Sequence, residues 1–169
     1  KELTTAVVEK YGAKALQYGP TQGIKELREA LAKRYDIPSD NILISTSSQQ
    51  GIDICARVLL DPDDVVLAAN PTYLGALQSF KSYRAQVVGM DLSPTLQAAK
   101  KREEQIAQIL SEGKKIKYFY AIPDFQNPSG ETLSLAQRSE LVTLARKYNF
   151  LIVEDSPYRE LRYEGKPVA

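Results

Sequence analysis

The stretch from residue 150 to residue 158 constrains the fold more than any other part of the chain. Four apolar residues, 150–153, are followed by Glu154 and Asp155 and then by a Ser-Pro-Tyr break that ends at Tyr158. A short apolar run bounded by polar and turn residues is typical of a strand buried on both faces of a parallel sheet. Because ligands of such sheets bind beyond the carboxyl ends of the strands, these acids and Tyr158 are candidates for a ligand site. The alternative is that the acids only cap the next turn.

Strand and helix patterns alternate along most of the chain. The first 20 residues begin with a short helical pattern, and a second helix follows from Ile24 with Thr21 as its predicted N-cap. Alternating strands and helices predict an α/β fold with three layers, α/β/α, and a mostly parallel sheet. The predicted strands are 42–44, 65–68, 86–90, 116–122 and the run from 150, and the predicted helices between them are 49–60, 74–83, 92–113 and one capped by Ser134 with Gln137 three residues later.

Composition excludes several functional classes. The 169 residues are 43% hydrophobic and 25% charged, which is enough for one substantial core. The net charge of +1 argues against a nucleic-acid partner. No apolar run is long enough to cross a bilayer, and the N-terminus lacks a signal-peptide pattern, so we expect a cytoplasmic location and no membrane partner. The charged run 100–104 is expected to be a solvated helix face.

The absence of histidine narrows the possible chemistry further. Without histidine the chain cannot form a Ser-His-Asp or Cys-His triad. Cys55 is the only cysteine, so no internal disulfide can form and a metal site is not expected. Catalysis must therefore use carboxylates, hydroxyls, lysines or a cofactor.

Polar side chains follow several of the predicted strands. The Ser-Thr-Ser-Ser run at 45–48 precedes a helix, and a helix N-terminus with hydroxyl groups favours an anion such as phosphate. Tyr73 could stack on a flat ligand, and the amide of Asn127 could donate to a ligand oxygen. Asp155 could pair with a protonated heteroaromatic nitrogen, and Tyr158 could donate to a ring oxygen. Each residue alone is also consistent with ordinary capping or turn packing, but the set suits a phosphorylated, planar, pyridine-like cofactor.

Four segments resemble the ordered motifs of the class I/II aminotransferases, which are pyridoxal-phosphate enzymes of fold type I. The residues of these motifs are most similar to those of the branch that contains 2-aminoadipate and kynurenine aminotransferases and the C-terminal domains of MocR-type transcription regulators. The segments are Ser-Ser-Gln-Gln-Gly-Ile-Asp at 47–53, Asn-Pro-Thr-Tyr at 70–73, Asn-Pro-Ser-Gly at 127–130 and Asp-Ser-Pro-Tyr at 155–158.

The resemblance implies a role for each residue of the cofactor cradle. Ser48 and Gln49 would bind the phosphate of pyridoxal 5'-phosphate, partly through backbone N–H groups. Tyr73 would stack on the pyridine ring. Residues 1–20 would lead into the large domain, of which residues 21–169 would be the cofactor-binding part.

Asn127 and Tyr158 would, by the same resemblance, form hydrogen bonds to the phenolic oxygen of the cofactor. Asp155 would pair with the pyridine nitrogen and keep it protonated, so that the ring can act as an electron sink. Tyr18 resembles the family tyrosine that reaches the phosphate of the neighbouring subunit. A homodimer with shared active sites is therefore expected.

The chain departs from the family pattern in two respects. Ser47 stands where the family usually has glycine. The family's Schiff-base lysine lies well downstream of the Asp-x-x-Tyr motif, so it is expected beyond Ala169, and no catalytic residue is expected within the chain. Lys166 is the only lysine after Asp155, and its Glu-Gly-Lys-Pro context is typical of a surface turn. We therefore expect an incomplete chain that is inactive by itself.

The resemblance predicts that the parent protein is an aminotransferase that moves an amino group between an amino acid and a 2-oxo acid. Two alternatives share the same cofactor site. One is the ligand-sensing domain of a MocR-type regulator, and the other is a different fold type I enzyme, such as a carbon–sulfur lyase or a decarboxylase. A structural domain that has lost the cofactor is disfavoured because all the cradle residue types are present.

Overall fold

The computed structural model describes residues 1–168; Ala169, with which the predicted large domain ends, lies outside the described residues. These residues form two compact units, Lys1–Thr46 and a second unit that begins at Ser47. The helices and strands are, in chain order, α1 Glu2–Tyr11, α2 Lys25–Tyr35, α3 Ser48–Leu59, β1 Val65–Ala69, α4 Leu74–Ser82, β2 Gln86–Met90, α5 Leu96–Ser111, β3 Ile116–Ala121, α6 Leu135–Tyr148 and β4 Leu151–Glu154.

The first unit contains α1, α2 and two short 3₁₀ helices, and its structure corrects two sequence predictions. Thr21 does not cap α2, because a turn closed by the Gly23 N–H and the Pro20 carbonyl (2.9 Å) separates Thr21 from the helix, which begins at Lys25. Residues 42–44, predicted to be a strand, also do not form one. That segment makes a backbone hydrogen bond from the Ile44 N–H to the Gln22 carbonyl (2.9 Å) but has no strand beside it.

The second unit is built on a parallel sheet of four strands in the order β2-β1-β3-β4. Each neighbouring pair is parallel, and each connection runs through a helix. The α/β class and the parallel sheet predicted from the sequence are confirmed. The chain reverses its direction of travel across the sheet after β2, so the switch point lies between β1 and β3, where parallel sheets bind their ligands.

Two separate hydrophobic cores cover the two faces of this sheet, which gives the three predicted layers. Successive residues of β1 alternate between them: Val65 and Leu67 pack in one core, and Val66 and Ala68 in the other. The first core includes residues of α5 and α6, and the second includes residues of α3 and α4. Period-two side-chain alternation on a strand with two buried faces therefore accounts for the continuous apolar run in β1.

Capping residues set the ends of the helices. Ser134 and Gln137 form the predicted capping box at the start of α6. The helix predicted from residue 92 begins only at Leu96, because Thr95 caps it by accepting from the Ala98 N–H (3.1 Å). No helix in the described part of the chain has the length and apolar character needed to cross a membrane.

The strand at 151–154 is not buried on both faces, which corrects the prediction for this segment. Within residues 1–168, β4 is an edge strand that pairs only with β3. Leu151 is 55% exposed, whereas Ile152 and Val153 are half-buried. An apolar run fixes the character of a strand but not its position in the sheet.

The charged run 100–104 is only partly solvated. Arg102 is buried, and its guanidinium binds both carboxylate oxygens of Glu140 on α6 at 2.7 Å. It also donates to the backbone carbonyls of Asp91 and Ser93. The prediction of a solvated face is therefore wrong for Arg102, because a bidentate carboxylate and two carbonyls replace water around this guanidinium.

Candidate active site

A cavity of about 310 Å³ lies beyond the carboxyl ends of β3 and β4. This volume lies at the lower end of the range found for small-molecule sites. The cavity brings together most of the side chains that the sequence predicted for one site. Its lining consists of Ser48, Tyr73, Ile122, Asn127, Asp155, Pro157 and Tyr158.

Ser48 lies at the first turn of α3, where the helix presents N–H groups without intrahelical partners. The Ser47 hydroxyl caps this helix by accepting from the Gln50 N–H (3.3 Å). The Gln49 side chain points elsewhere: its amide donates to the Gly75 carbonyl (3.1 Å) and to the Ser79 hydroxyl (3.0 Å). The local geometry thus leaves the backbone, and not the side chain, of Gln49 available to an anion.

Gly75 creates the space that the Tyr73 ring occupies. A Cβ atom at residue 75 would lie 2.5 Å from Cζ and Oη of Tyr73 and 2.5 Å from Oε1 of Gln49. Such contacts are much closer than van der Waals separation, so only glycine allows this ring position. The sequence prediction included Tyr73 and missed Gly75.

Gln126 joins the loop that carries Asn127 to the loop that carries Tyr73. Its side-chain amide donates to the Pro71 carbonyl (2.8 Å), and its amide oxygen accepts from the Ser129 N–H (2.8 Å). Gln126 is buried, and both bonds are partly buried. The two loops are thereby held together where they meet the cavity.

A buried carboxylate, Asp124, joins the same loop to the segment that follows Tyr158. Oδ1 of Asp124 lies 3.0 Å from guanidinium nitrogens of both Arg138 and Arg162, and Oδ2 lies 3.4 Å from Nε of Arg159. Burial raises the pKa of the Asp124 carboxyl, but the hydrogen bonds and charges of Arg138 and Arg159 outweigh this effect and hold the pKa below its ordinary value.

Two bonds from β3 fix Asp155 in place. Its backbone N–H donates to the Ala121 carbonyl (2.8 Å), and its Oδ2 accepts from the Tyr120 hydroxyl at 2.7 Å. Tyr120 is fully buried, and burial together with the bond to Asp155 raises the pKa of this phenol far above its ordinary value. Sequence reasoning missed Tyr120. The available signal was a pair of tyrosines in a buried strand, because a buried phenol usually needs a partner.

Besides Gln49, the residues Glu154, Lys166 and Tyr18 of the sequence analysis do not line the cavity. Glu154 lies on the exposed side of β4, where it binds Arg159 and accepts from the Ser156 hydroxyl (2.6 Å). Lys166 is exposed, as its turn context predicted. Tyr18 belongs to the first unit and is fully exposed. The role given to Tyr18 by the resemblance stays a prediction.

A larger cavity of about 500 Å³ lies beyond the ends of β1, β2 and β3 and is lined by Asp91, Ser93 and Glu131 among others. It contains none of the predicted cofactor-binding residues. We regard the smaller cavity as the candidate site because its carboxylate, amide and phenols converge. The described residues contain no group of three or more histidine, cysteine or acidic residues that could hold a metal ion.

The sequence profile described as "Aminotransferase class I and II" matches residues 2–169. The chain belongs to the class I and II aminotransferases. Members of this family use pyridoxal phosphate.

The chain spans less than half the length of the similar aminotransferases described next. The aromatic-amino-acid aminotransferase 1 of Thermococcus litoralis is 46% identical over 99% of the chain, which spans 42% of that relative. The crystal structure of Pyrococcus horikoshii kynurenine aminotransferase in complex with PMP, KYN as substrates and KYA as products has a TM-score of 0.88 and 44% identity. The alignment covers 99% of this chain and 43% of that one.

A protein named as an uncharacterized HTH-type transcriptional regulator is also similar. YisV of Bacillus subtilis is 30% identical over 92% of the chain, which spans 32% of that protein. Similar sequences therefore occur in proteins named as aminotransferases and in one named as a regulator.

The residues of the cavity fit the cofactor that family members use. A helix N-terminus suits a phosphate, and a carboxylate suits a protonated pyridine nitrogen. An amide and a phenol suit the phenolic oxygen of the ring. The space kept open by Gly75 places the Tyr73 ring at the cavity wall, where a planar group could stack.

Proposed function

We propose that the full-length protein is a pyridoxal-phosphate-dependent aminotransferase that transfers an amino group between an amino acid and a 2-oxo acid. The observation that carries this proposal is the single cavity shared by Ser48, Tyr73, Asn127, Asp155 and Tyr158. Family membership supports it, as do the aminotransferase names of the similar proteins.

The proposed roles follow from the position of each group. The first turn of α3, with Ser48 and the Gln49 backbone, holds the phosphate because its free N–H groups donate to the phosphate oxygens and the helix dipole favours negative charge there. The Tyr73 ring packs on one face of the pyridine and excludes water from it. Asn127 and Tyr158 donate hydrogen bonds to the phenolic oxygen and orient the ring. When bound, the cofactor supplies an electron sink for the bonds that break at the substrate carbon.

Asp155 has the most specific of these roles. Its carboxylate sits at the carboxyl end of the sheet and lines the cavity, where it holds a proton on the pyridine nitrogen by an ion pair. Tyr18 is proposed to reach the phosphate of a second subunit, which makes the working unit a homodimer. The cytoplasmic location expected from the sequence stays a prediction.

Borohydride reduction of the full-length protein, followed by intact mass and peptide mapping, tests the cofactor. We expect one pyridoxyl group per chain on a lysine other than Lys166. A protein that carries no adduct after incubation with pyridoxal 5'-phosphate would contradict the proposal. Transamination with 2-oxoglutarate should then be measured first with aromatic amino acids and kynurenine, because the similar proteins carry these names.

A regulator is the second candidate, and the similarity to YisV supports it. The two functions differ in a measurable way. A regulator would bind a DNA fragment with an affinity that changes with pyridoxal 5'-phosphate and would show little turnover. An aminotransferase would convert its amino acid substrate to the 2-oxo acid and transfer one amino group to 2-oxoglutarate for each molecule converted. Elimination of a thiol or loss of carbon dioxide would instead indicate a carbon–sulfur lyase or a decarboxylase.

A further inference from the structure

Two tyrosines lie two residues apart on β3 and differ in one respect. Tyr118 and Tyr120 both point to the core formed with α3 and α4, and both are fully buried. Both rings meet Phe80 edge to face, at centroid distances of 5.7 and 5.4 Å. Their packing environments are therefore closely matched.

Their hydroxyl groups are not equivalent. The Tyr120 hydroxyl donates to Oδ2 of Asp155 at 2.7 Å, whereas the buried Tyr118 hydroxyl has no hydrogen-bond partner in the described residues. Since this core already accommodates one phenol without a partner, packing alone does not require the bond that Tyr120 makes. The bond is directed at the one carboxylate that lines the cavity.

That bond leaves the Asp155 carboxylate with one engaged oxygen and one available oxygen. The backbone N–H of Asp155 is already held by the Ala121 carbonyl, so β3 fixes both the position of the residue and the rotation of its carboxylate. Among residues 1–168, no other hydrogen bond to Asp155 forms. Burial raises the pKa of Tyr120, and Asp155 and the nearby phenols of Tyr73 and Tyr158 raise it further, so this hydroxyl stays protonated and remains a donor well above neutral pH.

We propose that Tyr120 is a positioning residue for the pyridine nitrogen of the cofactor: its phenol holds Oδ2 of Asp155 so that Oδ1 faces the cavity. The inference rests on the proposed function, because it concerns a pyridoxal-phosphate site. Tyr120 itself does not line the cavity and acts through Asp155.

The test compares Tyr120→Phe with Tyr118→Phe in the full-length protein. Each variant removes one buried hydroxyl from the same face of the same strand and keeps the ring. Hydrogen bonds to charged groups are among the stronger ones in proteins, so we expect Tyr120→Phe to weaken binding of pyridoxal 5'-phosphate about tenfold. Tyr118→Phe should bind the cofactor as the wild type does.

Two further measurements separate positioning from general packing. The ¹⁵N chemical shift of the bound cofactor's pyridine nitrogen, followed against pH, should move in Tyr120→Phe and not in Tyr118→Phe. In an Asp155→Asn background, Tyr120→Phe should add little further loss of affinity, because the two residues act as one unit.

The outcomes distinguish the inference from the proposed function. If the wild-type protein binds pyridoxal 5'-phosphate but Tyr120→Phe matches Tyr118→Phe in affinity and ¹⁵N shift, the inference is overturned and the proposed function stands. Additive losses in the double variant would also overturn it. If the wild type does not bind the cofactor at all, the proposed function fails and the inference fails with it.

Discussion

At the scale of single residues, the candidate site depends on residues that do not themselves line its cavity. Gly75 is an example: it contributes only the absence of a Cβ atom, and that absence admits the Tyr73 ring. Asp124 is another, because it holds together the loop of Asn127 and the segment after Tyr158 without lining the cavity. Such residues cannot be recognised from their type, since their importance lies in what they touch.

Gly75→Ala should displace the Tyr73 ring and weaken cofactor binding. Overpacking a filled site costs about 1–3 kcal/mol, and where this cost falls on the cofactor-bound position of the ring it corresponds to about a 5- to 150-fold loss of affinity. The control is Gly51→Ala in α3, where a Cβ would meet nothing within 4 Å. That variant should bind the cofactor normally and gain about 0.5–1 kcal/mol from helix propensity. Equal affinities of the two variants for pyridoxal 5'-phosphate in fluorescence titration would contradict this account.

Asp124 gives a prediction about pH. Its carboxyl pKa is lower in the folded protein than its ordinary value of 3.8, so its charge stabilises the fold above that pH. This stabilisation is lost as the pH falls below about 4 and through the folded-state pKa. Asp124→Asn should cost about 3 kcal/mol at pH 7, because three partly exposed guanidinium groups lose the charge of their one buried carboxylate.

The stability difference between the wild type and Asp124→Asn should shrink as the pH is lowered from 5 towards 2. Urea unfolding at each pH measures it. Asp61→Asn is the control, since Asp61 also faces a cation, Lys117, but is largely exposed. A constant difference between the wild type and Asp124→Asn across this pH range would show that the charge of Asp124 is not the source of its effect.

At the scale of secondary-structure elements, two ion pairs join the same helices, α5 and α6, in different environments. Arg102 and Glu140 form a bidentate pair in which the guanidinium is buried. Lys147 and Glu103 form a pair whose side chains are both about half exposed. Solvent screens the exposed pair, whereas the buried guanidinium has little access to water.

Glu140→Ala should therefore lower the free energy of unfolding by about 3 kcal/mol, because it leaves a buried guanidinium without its carboxylate. Lys147→Ala, at the neighbouring contact, should leave the unfolding midpoint close to that of the wild type. Thermal and urea unfolding of the two variants provide the comparison. Midpoints shifted by the same amount would mean that burial does not control the strength of these pairs.

At the scale of the whole molecule, the proposed homodimer makes a prediction that does not depend on a structure of the dimer. If Tyr18 serves the site of the other subunit, a heterodimer of Tyr18→Ala and Asp155→Asn chains contains one intact site and one doubly altered site. A heterodimer purified through two different affinity tags should then have about half of the wild-type transamination activity. Each variant homodimer should have little. A heterodimer as inactive as its parents would instead place Tyr18 and Asp155 of the same chain in one site.

The sequence alone determined the α/β class, the parallel sheet, the capping box of α6 and the candidate residues Ser48, Tyr73, Asn127, Asp155 and Tyr158. These follow from local periodicity, local capping chemistry and ordered motifs, which are properties of neighbouring residues. The predicted roles of these residues, like the large-domain boundary at residue 21, stay predictions.

Only the tertiary structure decided which residues meet across long separations. The run 42–44 lacks a sheet partner and β4 lies at the edge, because pairing depends on other strands and not on the apolar content of one. Arg102 can be buried because the carboxylate of Glu140, on another helix, takes the place of the water that would otherwise solvate its guanidinium. Tyr120 contacts Asp155 because parallel pairing aligns the ends of β3 and β4. Local patterns specify the elements, but partners distant in sequence determine what each side chain does.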